Sequence, residues 1–116
     1  MSGIPSGNGT EVIKTATIKN SDSTWDTFIN GVANHIYTIL SITLCETAGT
    51  ARTFKMRVYT SNGTGDDIYI IQDASIPANG TFVFNDKFSF TGDAHLDIRA
   101  VGPVDILVTY IDQDWS

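Results

Sequence analysis

The side chains able to do acid–base, nucleophilic or metal chemistry are few and scattered. His35 and His95 are the only histidines and Cys45 the only cysteine. Nucleophilic catalysis needs a Ser, Thr or Cys beside a base that a third group orients. No nucleophile stands in such a context here, and both histidines fall at the outward phase of a strand and read as surface residues. Cys45 ends a strand with no positive cluster around it, so it reads as a small buried hydrophobe. The acidic pairs Asp66-Asp67 and Asp112/Asp114 are the best metal candidates. Calcium, however, takes roughly six or more oxygen ligands, and the D-x-[DN]-x-[DN]-G loop is absent. Asp66-Asp67 reads instead as the end of a turn. Glutamates are limited to Glu11 and Glu46; a pair of glycosidase carboxylates stays open on sequence alone. Gly63-Thr64-Gly65 has neither the spacing of a phosphate loop nor a helix after it. The expectation is a protein that is not an enzyme and holds no cofactor and no metal.

The elements that would position these residues are strands. Residues 11–19 (EVIKTATIK) are β-branched with partial alternation. Residues 25–29 (WDTFI) form a short strand closed by Asn30-Gly31. His35–Cys45 alternates most clearly, with Ile36, Thr38, Leu40, Ile42 and Leu44 in one phase and Tyr37, Ile39, Ser41, Thr43 and Cys45 in the other. Residues 52–60 repeat the pattern, with Phe54, Met56 and Val58 inward. Residues 68–72, 81–84 with a continuation at 88–90, 95–100 (Leu96, Ile98 and Ala100 inward) and 104–111 (Val104, Ile106, Val108 and Tyr110 against Asp105, Leu107, Thr109 and Ile111) complete the set. Turn signals recur between them, and Pro77 bars a central strand at Ile76–Gly80. No helical window competes. The pattern predicts an all-β, seven- to eight-stranded antiparallel β-sandwich, jelly-roll-like, over residues 11–112. A Gly/Ser/Pro-rich N-terminal arm (1–10) precedes it, and an acidic C-terminal tail (113–116) follows.

Length and composition bound the function. A chain of 116 residues is the size of one domain and can bury a core without metals or disulfides. With 41% hydrophobic and 17% charged residues it is too apolar to be disordered throughout. A net charge of −6, with seven dispersed Lys and Arg, disfavours nucleic acid. One cysteine excludes an intrachain disulfide. Residues 1–10 lack a signal peptide's basic and apolar regions, and no apolar run reaches the length of a membrane span. The expectation is a soluble protein matured where thiols stay reduced, with no membrane partner. The sequons at Asn8, Asn62 and Asn79 are all Asn-Gly and read as turns. Among the aromatic residues, Trp25, Tyr37, Tyr59, Tyr69 and Trp115 take outward or terminal positions. Such residues anchor protein interfaces or stack on sugar rings. Ile4, Pro5, Trp25, Tyr59 and Trp115 are the candidate partner-binding residues.

Residues 35–59 (HIYTILSITLCETAGTARTFKMRVY), 68–93 (IYIIQDASIPANGTFVFNDKFSFTGD) and 95–112 (HLDIRAVGPVDILVTYID) resemble small virion structural proteins of tailed phages. The IPANGT turn introducing a strand, the Gly92-Asp93 turn and the final strand with its acidic end carry the resemblance, which spans about residues 30–112. The arm and the Trp25 region depart from it. The resemblance implies a virion β-sandwich: a capsid decoration (cement) protein that binds the major capsid protein on the outer shell and stabilises capsomer junctions, or a tail, neck or fibre component. It implies a homo-oligomer, a trimer favoured, assembled in the host bacterial cytoplasm. A carbohydrate-binding module with Trp25, Tyr59 and Tyr69 as a stacking platform is the alternative from another class.

Overall fold

The computed structural model describes residues 10–21, 25–60 and 67–114, and every regular element among them is a β-strand. The strands are β1 (Thr10–Ser21), β2 (Asp26–Ile29), β3 (His35–Glu46), β4 (Arg52–Thr60), β5 (Ile68–Ile76), β6 (Thr81–Phe84), β7 (Phe88–Thr91), β8 (Ala94–Ala100) and β9 (Val104–Asp114). β-Branched and aromatic residues fill them, as a pleated, half-buried surface favours. No helix among the described residues is long and apolar enough to cross a membrane.

Two antiparallel sheets face each other. One has the order β1-β9-β3-β6, with β7 also on β3; the other has the order β2-β8-β4-β5. β6 and β7 lie end to end along one side of β3, opposite Ile42–Cys45 and Ile36–Ile39. Counted as one interrupted strand they leave eight positions, and the pairing is that of a jelly roll. The predicted all-β sandwich is therefore the fold observed. A ninth strand appears because residues 85–87 step out of the ladder between two short pairings. β5 also runs on to Ile76, past a ladder irregularity and past Asp73 at φ 58°, and β9 continues to Asp114.

The phase of β3 differs from the simple alternation. Its register with β9 slips between Ile39 and Ser41, so Leu40 is an extra residue, a β-bulge. Before the bulge Tyr37 and Ile39 point inward; after it Ile42, Leu44 and Glu46 do. Strict alternation placed Tyr37 and Ile39 outside and Ile36 inside, and the bulge reverses both. The core is built from β3 (Ile39, Ile42, Leu44), β4 (Phe54, Met56), β8 (Leu96, Ile98, Ala100) and β9 (Val104, Ile106, Val108), with Phe82, Phe84, Phe88 and Phe90 packed on its flank.

One buried carboxylate closes an end of the sandwich. Glu46, the last residue of β3, has a fully buried side chain. Its Oε1 accepts from the backbone N–H of Gly49 (2.8 Å), Thr50 (3.1 Å) and Asn79 (2.9 Å), and its Oε2 from Ala48 (2.7 Å). Asn79 and Gly49 sit at positive φ, 54° and 84°, which turns their backbones toward the carboxylate. The N–H of Asn79, then those of Ala48, Gly49 and Thr50, hold the carboxyl below its ordinary value near 4.5 against the opposing effect of burial. A depressed folded-state pKa contributes stability above the unfolded value and loses it as pH falls through the folded one. Glu46→Gln is expected to lower Tm by roughly 8–15 °C at neutral pH. In thermal melts followed by circular dichroism, that gap should narrow as pH falls below about 4.5.

Candidate functional site

The outer face of the four-stranded sheet carries one row that crosses every strand: Thr27, Asp97, Arg57 and Tyr69 lie opposite one another in register. Arg57 is its centre. Its Nε (3.3 Å) and Nη2 (3.1 Å) donate to Asp97 Oδ2, and its Nη1 donates to Asp67 Oδ2 at 3.1 Å. Thr27 Oγ1 donates to the other Asp97 oxygen at 2.9 Å. The guanidinium also lies 3.9 Å from the Trp25 ring centroid and 4.8 Å from that of Tyr59. Tyr69 meets Trp25 edge-on, and Tyr59 packs on His95, whose Nδ1 accepts from Gly31 N at 3.0 Å. Gly31 has no space for a side chain, because a Cβ there would run into the carbonyls of Ala94 and Gly92.

The inner rim at the N-terminal end of β1 holds a second polar group. Asp112, nearly buried on the inward phase of β9, accepts from Lys14 Nζ at 2.8 Å and pairs with His35 Nδ1 at 2.6 Å. Burial pushes its carboxyl up, but the hydrogen bonds from Lys14 and His35, with their charge, outweigh this and hold it below the ordinary range. His35 Nε2 lies 3.6 Å from Asp114. Burial raises the hydroxyl pKa of both neighbouring tyrosines, Tyr37 and Tyr110.

The outer face of the five-stranded sheet is of another kind. Cross-strand register lays it out in rows. Ile13, Ile111, Thr38 and Ser89 form one; Thr15, Thr109 and Ser41 the next; Thr17, Leu107, Thr43 and Val83 a third. None of these residues is charged. The flanking rows carry charge, Glu11 at one end and Lys19 and Asp105 at the other. Ile13 is 68% exposed, Val83 52% and Leu107 41%. A shallow cleft of about 450 Å³ opens on this face, lined in part by Thr17, Lys19, Thr43, Cys45 and Leu107.

Of the sequence-predicted binding residues, Ile4, Pro5 and Trp115 lie outside the described residues, as does Asp66. Trp25 and Tyr59 come together, but through Arg57. The guanidinium occupies ring faces that a sugar would need, and the Trp25 and Tyr69 planes meet at 68°, so these rings make no flat platform. Three expectations are corrected. Tyr37 is buried rather than outward, because the Leu40 bulge turns it in. His35 is not a surface histidine: its side chain is 17% exposed and paired to Asp112. Cys45 is half-exposed on the outer face rather than buried, because Leu44 and Glu46 take the inward phase. The uncharged face was missed. Its signal lay in the outward phase of β1 and β9, where Ile13, Thr15, Thr17, Leu107, Thr109 and Ile111 are all Thr or aliphatic.

The Arg57 row is a structural staple, with a 2% exposed Asp97 side chain paired to Arg57 at 3.1 Å. Arg57→Ala is expected to destabilise the domain by about 3 kcal/mol in urea unfolding. Asp97→Ala should cost a similar amount, and the double variant should fall well short of the sum.

Comparison with known proteins points to the fold. No family model matches the chain, and no curated protein matches it. Among solved structures, a subunit from Bacillus endospore appendages, described as a family of disulfide-linked pili, superposes with a TM-score of 0.55 at 16% identity; the match covers 100% of this chain and 98% of that one. A protein of the infectious bursal disease virus Gx strain (TM-score 0.46, 11% identity, 89% of this chain and 38% of that one) and a CBM22 xylan-binding domain from Paenibacillus barcinonensis (TM-score 0.43, 11% identity, 96% and 83%) also match. At those TM-scores the last two add nothing to the fold. The match to the appendage protein, at 16% identity, bears on the fold alone.

Proposed function

We propose that this protein is a non-enzymatic structural subunit of a bacteriophage virion: a capsid decoration (cement) protein that lays the outer face of its five-stranded sheet on the major capsid protein. The observation that carries the reading is the uncharged band on that face. On a chain of net charge −6, three successive rows of Thr, Ser, Ile, Leu and Val expose no ionisable group. An uncharged band with exposed aliphatics, rimmed by charge, suits a protein contact. The buried carboxylates support a non-catalytic reading, since Glu46, Asp97 and Asp112 each spend their lone pairs on their own chain. The arm with Ile4 and Pro5, and Trp115 at the other terminus, supply further contacts, and repetition over a shell makes modest contacts add.

A second reading is a subunit of a tail or another extracellular appendage. It is supported by the end-to-end match to the pilus subunit. The carbohydrate reading is the weakest, because Arg57 covers ring faces it would use.

Leu107→Asp and Ile13→Asp place charge in the band at exposed positions, so Tm should move by no more than about 2 °C. Each should reduce occupancy on decoration-free capsids at least about tenfold in co-sedimentation. Deleting residues 1–10 should lower occupancy in the same assay. Wild-type occupancy in all three variants would overturn the attachment. Filaments formed by the purified protein alone, seen by negative-stain microscopy, would favour the appendage reading over the capsid one.

A further inference from the structure

A sandwich of two open sheets has four edges, and natural proteins blunt such edges to prevent unwanted strand pairing. Three are blunted here. β2 has only four residues and slips register between Thr27 and Ile29. β5 is irregular twice along β4 and carries Asp73 at φ 58°. The third edge is divided between β6 and β7. β1 is the exception. It has 12 residues and holds an unbroken register with β9 from Thr10 to Ile18, and among the described residues β9 is its only strand partner. It has no proline. Its inward lysine, Lys14, is neutralised within the chain by Asp112 rather than left to repel an incoming strand.

We infer that the free edge of β1 pairs antiparallel with β1 of a second copy, about a twofold axis through Thr15. An axis perpendicular to the sheet keeps both outer faces on one side, so outward residues must oppose outward ones. Outward on β1 are Glu11, Ile13, Thr15 and Thr17; Lys19 lines the outer cleft with Thr17. Among in-phase registers, the one centred on Thr15 sets Glu11 of each copy against Lys19 of the other. It pairs Ile13 with Thr17 on the outer face, and Val12 with Ile18 and Lys14 with Ala16 on the inner. A register shifted by one residue at its centre, to Lys14, would set Lys14 against Lys14. The stretch EVIKTATIK is thus complementary to itself in charge and pattern when read backwards. Val12, 45% exposed despite its inward phase, gains an aliphatic neighbour. The product is one continuous sheet whose uncharged outer face is doubled. It forms a twofold pair rather than the trimer that the family resemblance favours, and it holds whether or not the chain coats a capsid.

One strand pair is a small interface, so the dimer is expected to be weak, with Kd on the order of 10–500 µM in sedimentation equilibrium. Glu11→Lys and Lys19→Glu, both at exposed positions, should each weaken it at least about tenfold, because the symmetry places like charges opposite one another twice. The double variant Glu11→Lys/Lys19→Glu should return to within about threefold of wild type. In a Cys45→Ser background, Thr15→Cys should form a disulfide-linked dimer on mild oxidation, and Thr17→Cys should not. A protein monomeric to about 1 mM, a trimer, a dimer indifferent to both reversals, or crosslinking at position 17 in place of 15 would each overturn the inference.

Discussion

A carboxylate that takes four backbone N–H groups ties the ends of three strands together. Glu46 sits where β3 leaves the five-stranded sheet, and the 47–51 turn it gathers delivers the chain to β4 in the other sheet. The same oxygen receives Asn79, at the turn that feeds β6 back onto β3. Crossings between sheets are where a jelly roll has fewest ladder hydrogen bonds, so donors there need other acceptors. A hydrophobic residue at position 46 would satisfy the inward phase of β3 and leave those N–H groups without an acceptor. Arg52, whose Nε lies 3.9 Å from the carboxylate, leans on the same end. Its guanidinium fills the space beside Gly102, at φ 104°, that any Cβ would take. The polar end thus orders β3, and β3 sets the phase of the sheet around it.

That phase is adjusted once, at Leu40. The bulge lets the N-terminal half of β3 bury Tyr37 and Ile39 while the C-terminal half buries Ile42, Leu44 and Glu46. Without it, Glu46 and Ile39 would lie on opposite faces, and either the core or the closing carboxylate would be lost. Tyr37 uses its inward position at both ends of the ring: it packs on Phe90 and Tyr110, and its hydroxyl accepts from Val32 N at 3.0 Å.

How much of this was legible follows from which terms are local. Strand positions were readable because alternation and turn residues are local signals; β4, β8 and β9 keep the predicted inward residues. The bulge was not, since an extra residue in a run as uniform as YTILSIT leaves the hydrophobic count unchanged. The role of Glu46 has no sequence signature, because its four donors come from backbone. Trp25 and Tyr59 were singled out by type and do meet. Arg57, which joins them, has no local signal, because its partners Asp67 and Asp97 lie 10 and 40 positions away along the chain.

The two outer faces solve opposite problems with the same strand geometry. On the four-stranded sheet, a cross-strand row is bonded internally: one cation holds two carboxylates, with the remaining guanidinium surface on aromatic rings. The donors of Arg57 and the buried Asp97 carboxylate are thus spent within the chain. On the five-stranded sheet the register aligns Thr with Thr and Ile with Ile, and neutral hydroxyls meet across it, as Thr38 and Ser89 do at 3.0 Å. Threonine suits a face that must remain dispersed before it is covered. Its β-branch favours the strand, its methyl group can be buried, and its hydroxyl keeps water until a partner displaces it. A face of isoleucine alone would bind more tightly and also aggregate more readily. Under the attachment proposed above, the alternation of Thr with a few aliphatics would keep each contact weak and reversible, and repetition would supply the retention that a single contact lacks.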